Sequence, residues 1–233
     1  MKYRSLRFLC LICYMFLLFS AAGIWNDRWK TVSTGSEAKE TESSIENMEK
    51  MKIALTFDDG PSPSCTPVLL DGLRERGVHV TFFVIGMNVE QYPEIVKREF
   101  DEGHIVGNHT YHHVEITRID GVTAKEEIDK TSSAVEKITG FPTEYMRPPF
   151  GAWQKNLEME MQVIPVLWDV DPLDWTTVNE DEIVNKVVTD VSENDIILLH
   201  DCYKSSVNAA LRIIDILQKE NYEFVTVDEL ILD

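Results

Sequence analysis

The chain has 233 residues, 44% hydrophobic and 27% charged, with 22 Lys and Arg against 40 Asp and Glu for a net charge of −18. These values exclude wholesale disorder, a collagen-like fibre and a multispanning membrane protein, and the length suits one catalytic domain of the α/β barrel kind. The acidity serves mainly as solvated surface charge; it also repels phosphate backbones and anionic lipid, so no nucleic acid is expected as a partner, whereas a neutral or amine-bearing substrate is compatible with it.

The charge is uneven. The first fifty residues hold seven basic and six acidic side chains, so the acidic excess lies beyond them. Lys2, Arg4 and Arg7 precede an uncharged, mainly apolar run from Phe8 to Trp25. As a helix rising about 1.5 Å per residue, that run is about 27 Å long, just short of an average hydrocarbon core. A hydrophobic N-terminal helix within residues 1–30 is therefore expected as a single-pass membrane anchor. The alternative is a cleaved signal, for which Ser20-Ala21-Ala22 offers small residues at a cutting point. Basic residues on the short flank keep that end in the cytoplasm. The expected location is thus the cell membrane with an extracellular catalytic domain, or the exterior as a secreted protein if the segment is cleaved. Residues 31–50 are rich in Ser, Thr, Glu and Lys and read as a disordered tether. Residues 51–233 remain as the catalytic domain.

Within that domain, Lys52–Phe57 predicts a strand stopping at Asp58-Asp59-Gly60-Pro61, and Pro67–Arg76 a helix ended by Gly77. Val78–Ile85 predicts a strand ending at Gly86. Pro93–Glu102 predicts a helix closed by Gly103, with a short strand His104–Val106 after it. Thr123–Thr139 predicts an amphipathic helix capped by Gly140. Val163–Trp168 and Asp195–Leu199 predict buried strands, with a helix Asp181–Val191 between them. A helix Asn208–Gln218 and a strand Glu223–Val227 complete the series. Strands alternating with helices argue for βαβ units and a parallel sheet, and the length favours a single distorted (β/α) barrel of about seven strands over a small open sheet. The polar clusters follow strand ends, where such barrels place their active sites.

Five groups of residues carry chemistry. His109 and His113 in Asn108-His109-Thr110-Tyr111-His112-His113 share one face if the segment is helical, and can then meet one metal ion; His112 competes in register. Asp58 and Asp59 are adjacent carboxylates that repel unless a cation lies beside them, although an acidic turn is the simpler explanation of that pair alone. Arg147-Pro148-Pro149-Phe150-Gly151 is a rigid loop with one guanidinium that can orient a carboxylate. Asp169, Asp171, Asp174 and Trp175 follow the strand ending at Trp168, and Leu198-Leu199-His200-Asp201 ends another, placing an imidazole where a general acid or base is useful.

Taken together and in this order, Asp58-Asp59-Gly60, His109 to His113, Arg147-Pro-Pro-Phe, Asp174-Trp175 and Leu198-x-His200 resemble the polysaccharide deacetylase family, carbohydrate esterase family 4. The resemblance runs from about Lys52 to Asp233. It implies that Asp59, His109 and His113 bind one divalent metal ion, zinc first, with cobalt, nickel or iron suiting the same donors. It selects His113 over His112 through the family's His-Thr-x-x-His pattern. Asp58 looks like the base that takes a proton from the attacking water, and His200 like the acid that protonates the departing nitrogen. Arg147 and Asp174 look like residues that orient and tune those two. Phe150, standing where many relatives carry Tyr, would offer its backbone N–H to the oxyanion, and Trp175 and Leu198 would line the acetyl pocket.

The implied substrate is an N-acetylated polysaccharide, peptidoglycan N-acetylglucosamine first, since a tether holds the domain beside the wall. Chitin-like oligomers, a biofilm N-acetylglucosamine polymer and O-acetylated xylan are alternatives, and a catalytically inactive glycan-binding module is the rival of another class. A monomer is expected. Cys10 and Cys13 lie in the apolar run, leaving Cys65 and Cys202, each a few residues from a motif. A disulfide between those two would pin two site loops, and free thiols are the equal alternative.

Overall fold

Strand β1 (Met51–Asp58) forms the spine, because its side chains are buried on both faces. Such a strand belongs in the middle of a parallel sheet covered on both sides. The computed structural model describes residues 50–153 and 163–231. The anchor or signal expected over residues 1–30, and the tether apart from Lys50, lie outside the described residues. Among the described residues no helix is long and apolar enough to cross a membrane.

In chain order, β1 is followed by α1 (Thr66–Arg76), β2 (Thr81–Val84), α2 (Gly86–Gln91), α3 (Pro93–Asp101), β3 (Ile105–Asn108) and α4 (Gly121–Thr139). Next come β4 (Tyr145–Met146), β5 (Ile164–Pro165), α5 (Glu180–Asp190), β6 (Ile196–His200), α6 (Lys204–Leu217), β7 (Tyr222–Val225) and α7 (Val227–Ile231). The strands make one seven-stranded sheet in the order β5-β4-β3-β2-β1-β6, with β7 paired to β1, and every pairing is parallel. Beyond β5 a single bridge from Val170 to Ile197 reaches the β6 edge, so the sheet curls into a partial barrel.

Residue alternation divides the interior. Ile53, Leu55 and Phe57 of β1, Phe82 and Val84 of β2, and Ile197 and Leu199 of β6 join one core with the helices. Ala54 and Phe83 pack on the other face with Tyr145 and Val166. Because the strand period is two, Thr56 and Asp58 share the lumen face with Ala54, and Leu198 and His200 share it with Ile196. The register pairs Thr56 with Leu198 and Asp58 with His200, so two motif residues from distant parts of the sequence become lateral neighbours. A slip of one residue would turn both onto the helix layer.

The expected helix stops hold: Gly77 and Gly140 end α1 and α4 in the left-handed region, at φ 62° and 87°. Helix α4 begins two residues earlier than the pattern suggests, because the Asp120 side chain caps it by accepting from the backbone N–H groups of Val122 and Thr123. Some elements differ from expectation. The strand read over Val78–Ile85 contracts to Thr81–Val84, and that read over Val163–Trp168 to Ile164–Pro165. Helix α2 and the two-residue β4 were not expected, and Val227 opens a short helix instead of ending a strand.

Candidate active site

Arg147 lies just beyond β4 and its side chain is fully buried in the lumen. One guanidinium nitrogen donates to Thr56 Oγ1 at 2.7 Å and to Asp58 Oδ1 at 2.9 Å. The others donate to the carbonyls of Val166 at 3.2 Å and Leu167 at 3.0 Å, and the group lies 4.4 Å from the Phe83 ring centre. Burial pulls the guanidinium pKa down, while the Asp58 charge and hydrogen bond raise it again. A buried charge of this kind is tolerable only when paired, and removing one partner costs about 3–5 kcal/mol. Asp58 is therefore fixed by one oxygen, and its other oxygen lies 3.7 Å from His109 Nε2.

The next residue points differently because its backbone leaves the strand: Asp59 has φ 72°. Asn88 Nδ2 donates to the Asp59 carbonyl at 2.9 Å, and Ile85 N–H to that of Gly60 at 3.0 Å, which hold the turn. Asp59 Oδ1 is 3.5 Å from His109 Nε2 and 3.4 Å from His113 Nε2. It is buried without a hydrogen-bond partner. His109 Nδ1 donates to the Arg147 carbonyl at 2.6 Å, so the lone pair is on Nε2, facing the carboxylate. Burial lowers the pKa of His109 despite the carboxylates of Asp58 and Asp59, which keeps the ring neutral and fit to ligate. The ligand atoms of Asp59, His109 and His113 all lie within 4.8 Å of one another, and tetrahedral donors about 2.0–2.1 Å from an ion lie about 3.4 Å apart, so this carboxylate and these two imidazoles could hold a divalent cation.

The helical explanation of the His109–His113 spacing does not survive. His109 follows the end of β3, and the chain turns through Thr110 and His113 at φ 61° and 55°. Two left-handed residues in a loop, not one face of a helix, bring the rings to 4.9 Å centre to centre. His112 turns away, with Nδ1 2.7 Å from Glu127 Oε1.

His200 ends β6, and its Nδ1 donates to Asp174 Oδ1 at 2.8 Å, while its backbone N–H donates to Asp174 Oδ2 at 2.9 Å. Asp174 is almost completely buried. Burial alone would depress the His200 pKa. The hydrogen bond and charge of Asp174, with the charges of Asp58 and Asp59, outweigh it and lift the value to about 9. His200 is thus held as an imidazolium near neutral pH, its Nδ1 proton committed to Asp174.

These groups line one pocket of about 400 Å³. Its floor is Asp58, Asp59, His109, His113 and His200; its walls are Phe150, Trp168, Asp171, Trp175, Leu198 and Tyr203. Every residue singled out from the sequence for direct contact with metal or substrate therefore converges here. Arg147 and Asp174 lie behind Asp58 and His200. Phe150 has φ 61° and sets its ring edge against His113 at 4.9 Å. Thr56, Asn88 and Tyr203 were given no role from the sequence: Thr56 and Asn88 act through partners far away in the chain, Arg147 and Asp59, and Tyr203 sets its ring edge-on to His200 three residues before it. Cys65 and Cys202 are free thiols, although their loops meet, with Cys65 Sγ 3.7 Å from the Cys202 carbonyl oxygen.

Comparison with known proteins bears on the same residues. The polysaccharide deacetylase family profile matches residues 45–165. The peptidoglycan-N-acetylmuramic acid deacetylase PdaC of Bacillus subtilis (strain 168) is 41% identical over 81% of this chain and 40% of its own length. The peptidoglycan-N-acetylglucosamine deacetylase PgdA of Listeria monocytogenes is 41% identical over 77% of this chain and 38% of its own. The chain thus spans about two fifths of the length of these two relatives. The structure of PdaC from Bacillus subtilis superposes with a TM-score of 0.76 at 41% identity, covering 78% of this chain and 91% of that one.

Proposed function

The chain belongs to the polysaccharide deacetylase family, and from that membership we propose that it hydrolyses N-acetyl groups of peptidoglycan, N-acetylglucosamine first. The observation that carries this reading is the division of labour between adjacent carboxylates. Asp59 Oδ1 faces two imidazoles without a hydrogen-bond partner, while Asp58 is turned back onto Arg147. Asp59, His109 and His113 would hold one divalent metal ion, zinc first, which supplies Lewis acidity to the acetamide carbonyl and acidifies water. Asp58 accepts the proton of the attacking water, and the Arg147 hydrogen bond keeps it aimed for that task. The Phe150 backbone N–H serves the carbonyl oxygen as charge builds there. His200 donates its Nε2 proton to the amide nitrogen, which leaves poorly as an anion, and Asp174 keeps that proton in place. Leu198 and Trp175 enclose the methyl group.

The pocket wall carries the Asp171 carboxylate, and no Lys or Arg is among the described lining residues. A neutral acetamido sugar is therefore favoured over one bearing a free lactyl carboxylate. Residues 1–30 are proposed to tether the domain beside the wall polymer. The test is acetate release by the full chain from purified peptidoglycan and from chitooligosaccharides, before and after chelation and on adding zinc back. The reading predicts acetate from peptidoglycan, lost with chelator and restored by metal. Acetate from chitooligosaccharides alone would overturn the substrate. None from either, with metal bound, would return the binding-module alternative.

A further inference from the structure

His113 sits on a loop with little regular structure of its own, and the hydrogen bonds of that loop point to what holds it. Thr110 N–H donates to Asn108 Oδ1 at 2.8 Å, and Val114 N–H to Thr110 Oγ1 at 3.2 Å. On one side, Gly86 N–H and Met87 N–H at the start of α2 donate to the carbonyls of Thr110 and Tyr111 at 3.0 and 3.1 Å. On the other side a single carboxylate does the work. Glu127, on the second turn of α4, accepts from Tyr111 N–H at 3.1 Å and His112 N–H at 2.8 Å through Oε2, and from His112 Nδ1 at 2.7 Å through Oε1. Its side chain is 12% exposed. Asn108 ties the same helix to β3, through Nδ2 donating to the Ile128 carbonyl at 2.9 Å. Helix α4 is thus fastened to the strand before the loop and, one residue away, to the loop itself.

We propose that Glu127 is a positioning residue for the metal centre: by clamping residues 111 and 112 it holds His113 in its ligating place. The inference rests on the reading that Asp59, His109 and His113 bind a metal ion. Its physical basis is the pair of left-handed, non-glycine residues flanking the clamp, Thr110 and His113. Such a conformation is strained for a residue with a Cβ and persists only where the surroundings enforce it. Without Glu127, three donors lose their acceptor at once, and the loop is free to relax toward ordinary backbone angles, carrying His113 away from Asp59. His112, which neither the pocket nor the ligand set uses, acquires a role as the side-chain half of that clamp.

The experiment is metal binding by the full chain, stripped by chelator and titrated with Co²⁺ and with Zn²⁺, followed by the visible spectrum of the cobalt form. Glu127→Ala is expected to weaken metal binding by about 10–100-fold, as loss of an outer partner of a ligand does, and to change the cobalt spectrum. Glu127→Gln keeps an acceptor for the two backbone N–H groups and should stay within about threefold of the parent, with its spectrum restored. A general structural role would lower the melting temperature of both metal-free variants without separating their metal affinities. If Glu127→Ala does not fold, Glu127→Asp carries the test, because its carboxylate is one methylene short of the loop; it should bind metal measurably more weakly than the parent. Parental affinity and spectrum in a folded Ala or Asp variant would overturn the proposal. A parent chain that takes up no metal would instead sink the metal-site reading, and this inference with it.

Discussion

Replacing Asp174 by Asn tests how the acid is tuned. The substitution preserves shape and a hydrogen-bond acceptor but removes a buried charge 2.8 Å from His200 Nδ1. In the parent, His200 is lifted from 6.5 to about 9 even though burial opposes it, so the carboxylates contribute more than the net rise. A cation bound beside Asp58 and Asp59 cancels their share, which leaves Asp174 as the principal support. Removing a charged partner at this distance lowers a pKa by about 1–3 units. The acid must be protonated to act, so the alkaline limb of kcat/KM should move down by the same amount. If the value falls from about 9 to about 6.5, the protonated fraction at pH 8 drops about 30-fold. The assay is acetate release from pH 5 to 10 by parent and Asp174→Asn, each with its metal content verified. Stability should follow the same pair. Its contribution is complete below pH 6.5 and is lost as pH rises through about 9, so the variant's deficit in melting temperature should be largest on the acid side. An alkaline limb that stays in place in a metal-loaded variant would refute the reasoning.

Other consequences follow from the same structure. Arg147→Met leaves Asp58 buried without its cation and should cost about 3–5 kcal/mol in denaturant unfolding; a variant as stable as the parent would contradict the account of that pair. Glu99 is fully buried with both carboxyl oxygens unpartnered, and burial, followed by the Asp201 charge, raises its pKa well above the carboxylate range. Its penalty therefore grows as pH rises above the ordinary carboxylate value. Glu99→Met should stabilise the chain by about 1–3 kcal/mol near pH 8 and by less at pH 4. An equal effect at both pH values would show that the carboxylate does not titrate as described.

How far the sequence revealed this depends on the range over which each signal acts. Helix ends written in local chemistry, such as Gly77 and Gly140, were legible, as was β1 from its apolar run. Helix α2 was not, because Gly86 reads as a strand stop and the helix is six residues long. Strand β4 has two residues, too few for any period. The candidate site residues were picked out through their motifs, and the structure brings those chosen for direct contact into one pocket, but the geometry behind them was not legible. The four-residue spacing of His109 and His113 suggested a helix face, and nothing in Thr110 announces a left-handed backbone. Glu127 and Asn88 became visible only when helices α4 and α2 were set beside the loops they hold; Arg147 was legible as a residue that orients a carboxylate, while its full burial and its bonds to Thr56 and the Val166 and Leu167 carbonyls were not. Cys65 and Cys202 show the converse: sequence correctly put their loops at one mouth, while the thiols remain unjoined.

The claim at the centre of this account is that two consecutive aspartates do different work, and Asp58→Asn separates them most directly. Bound metal per chain and acetate release from peptidoglycan are measured on one preparation. The account predicts about one divalent ion per chain, as in the parent, with turnover reduced by at least about 10²-fold, the range for loss of a general base. A variant that keeps its metal and releases acetate within tenfold of the parent, or one that loses the metal outright, would contradict it.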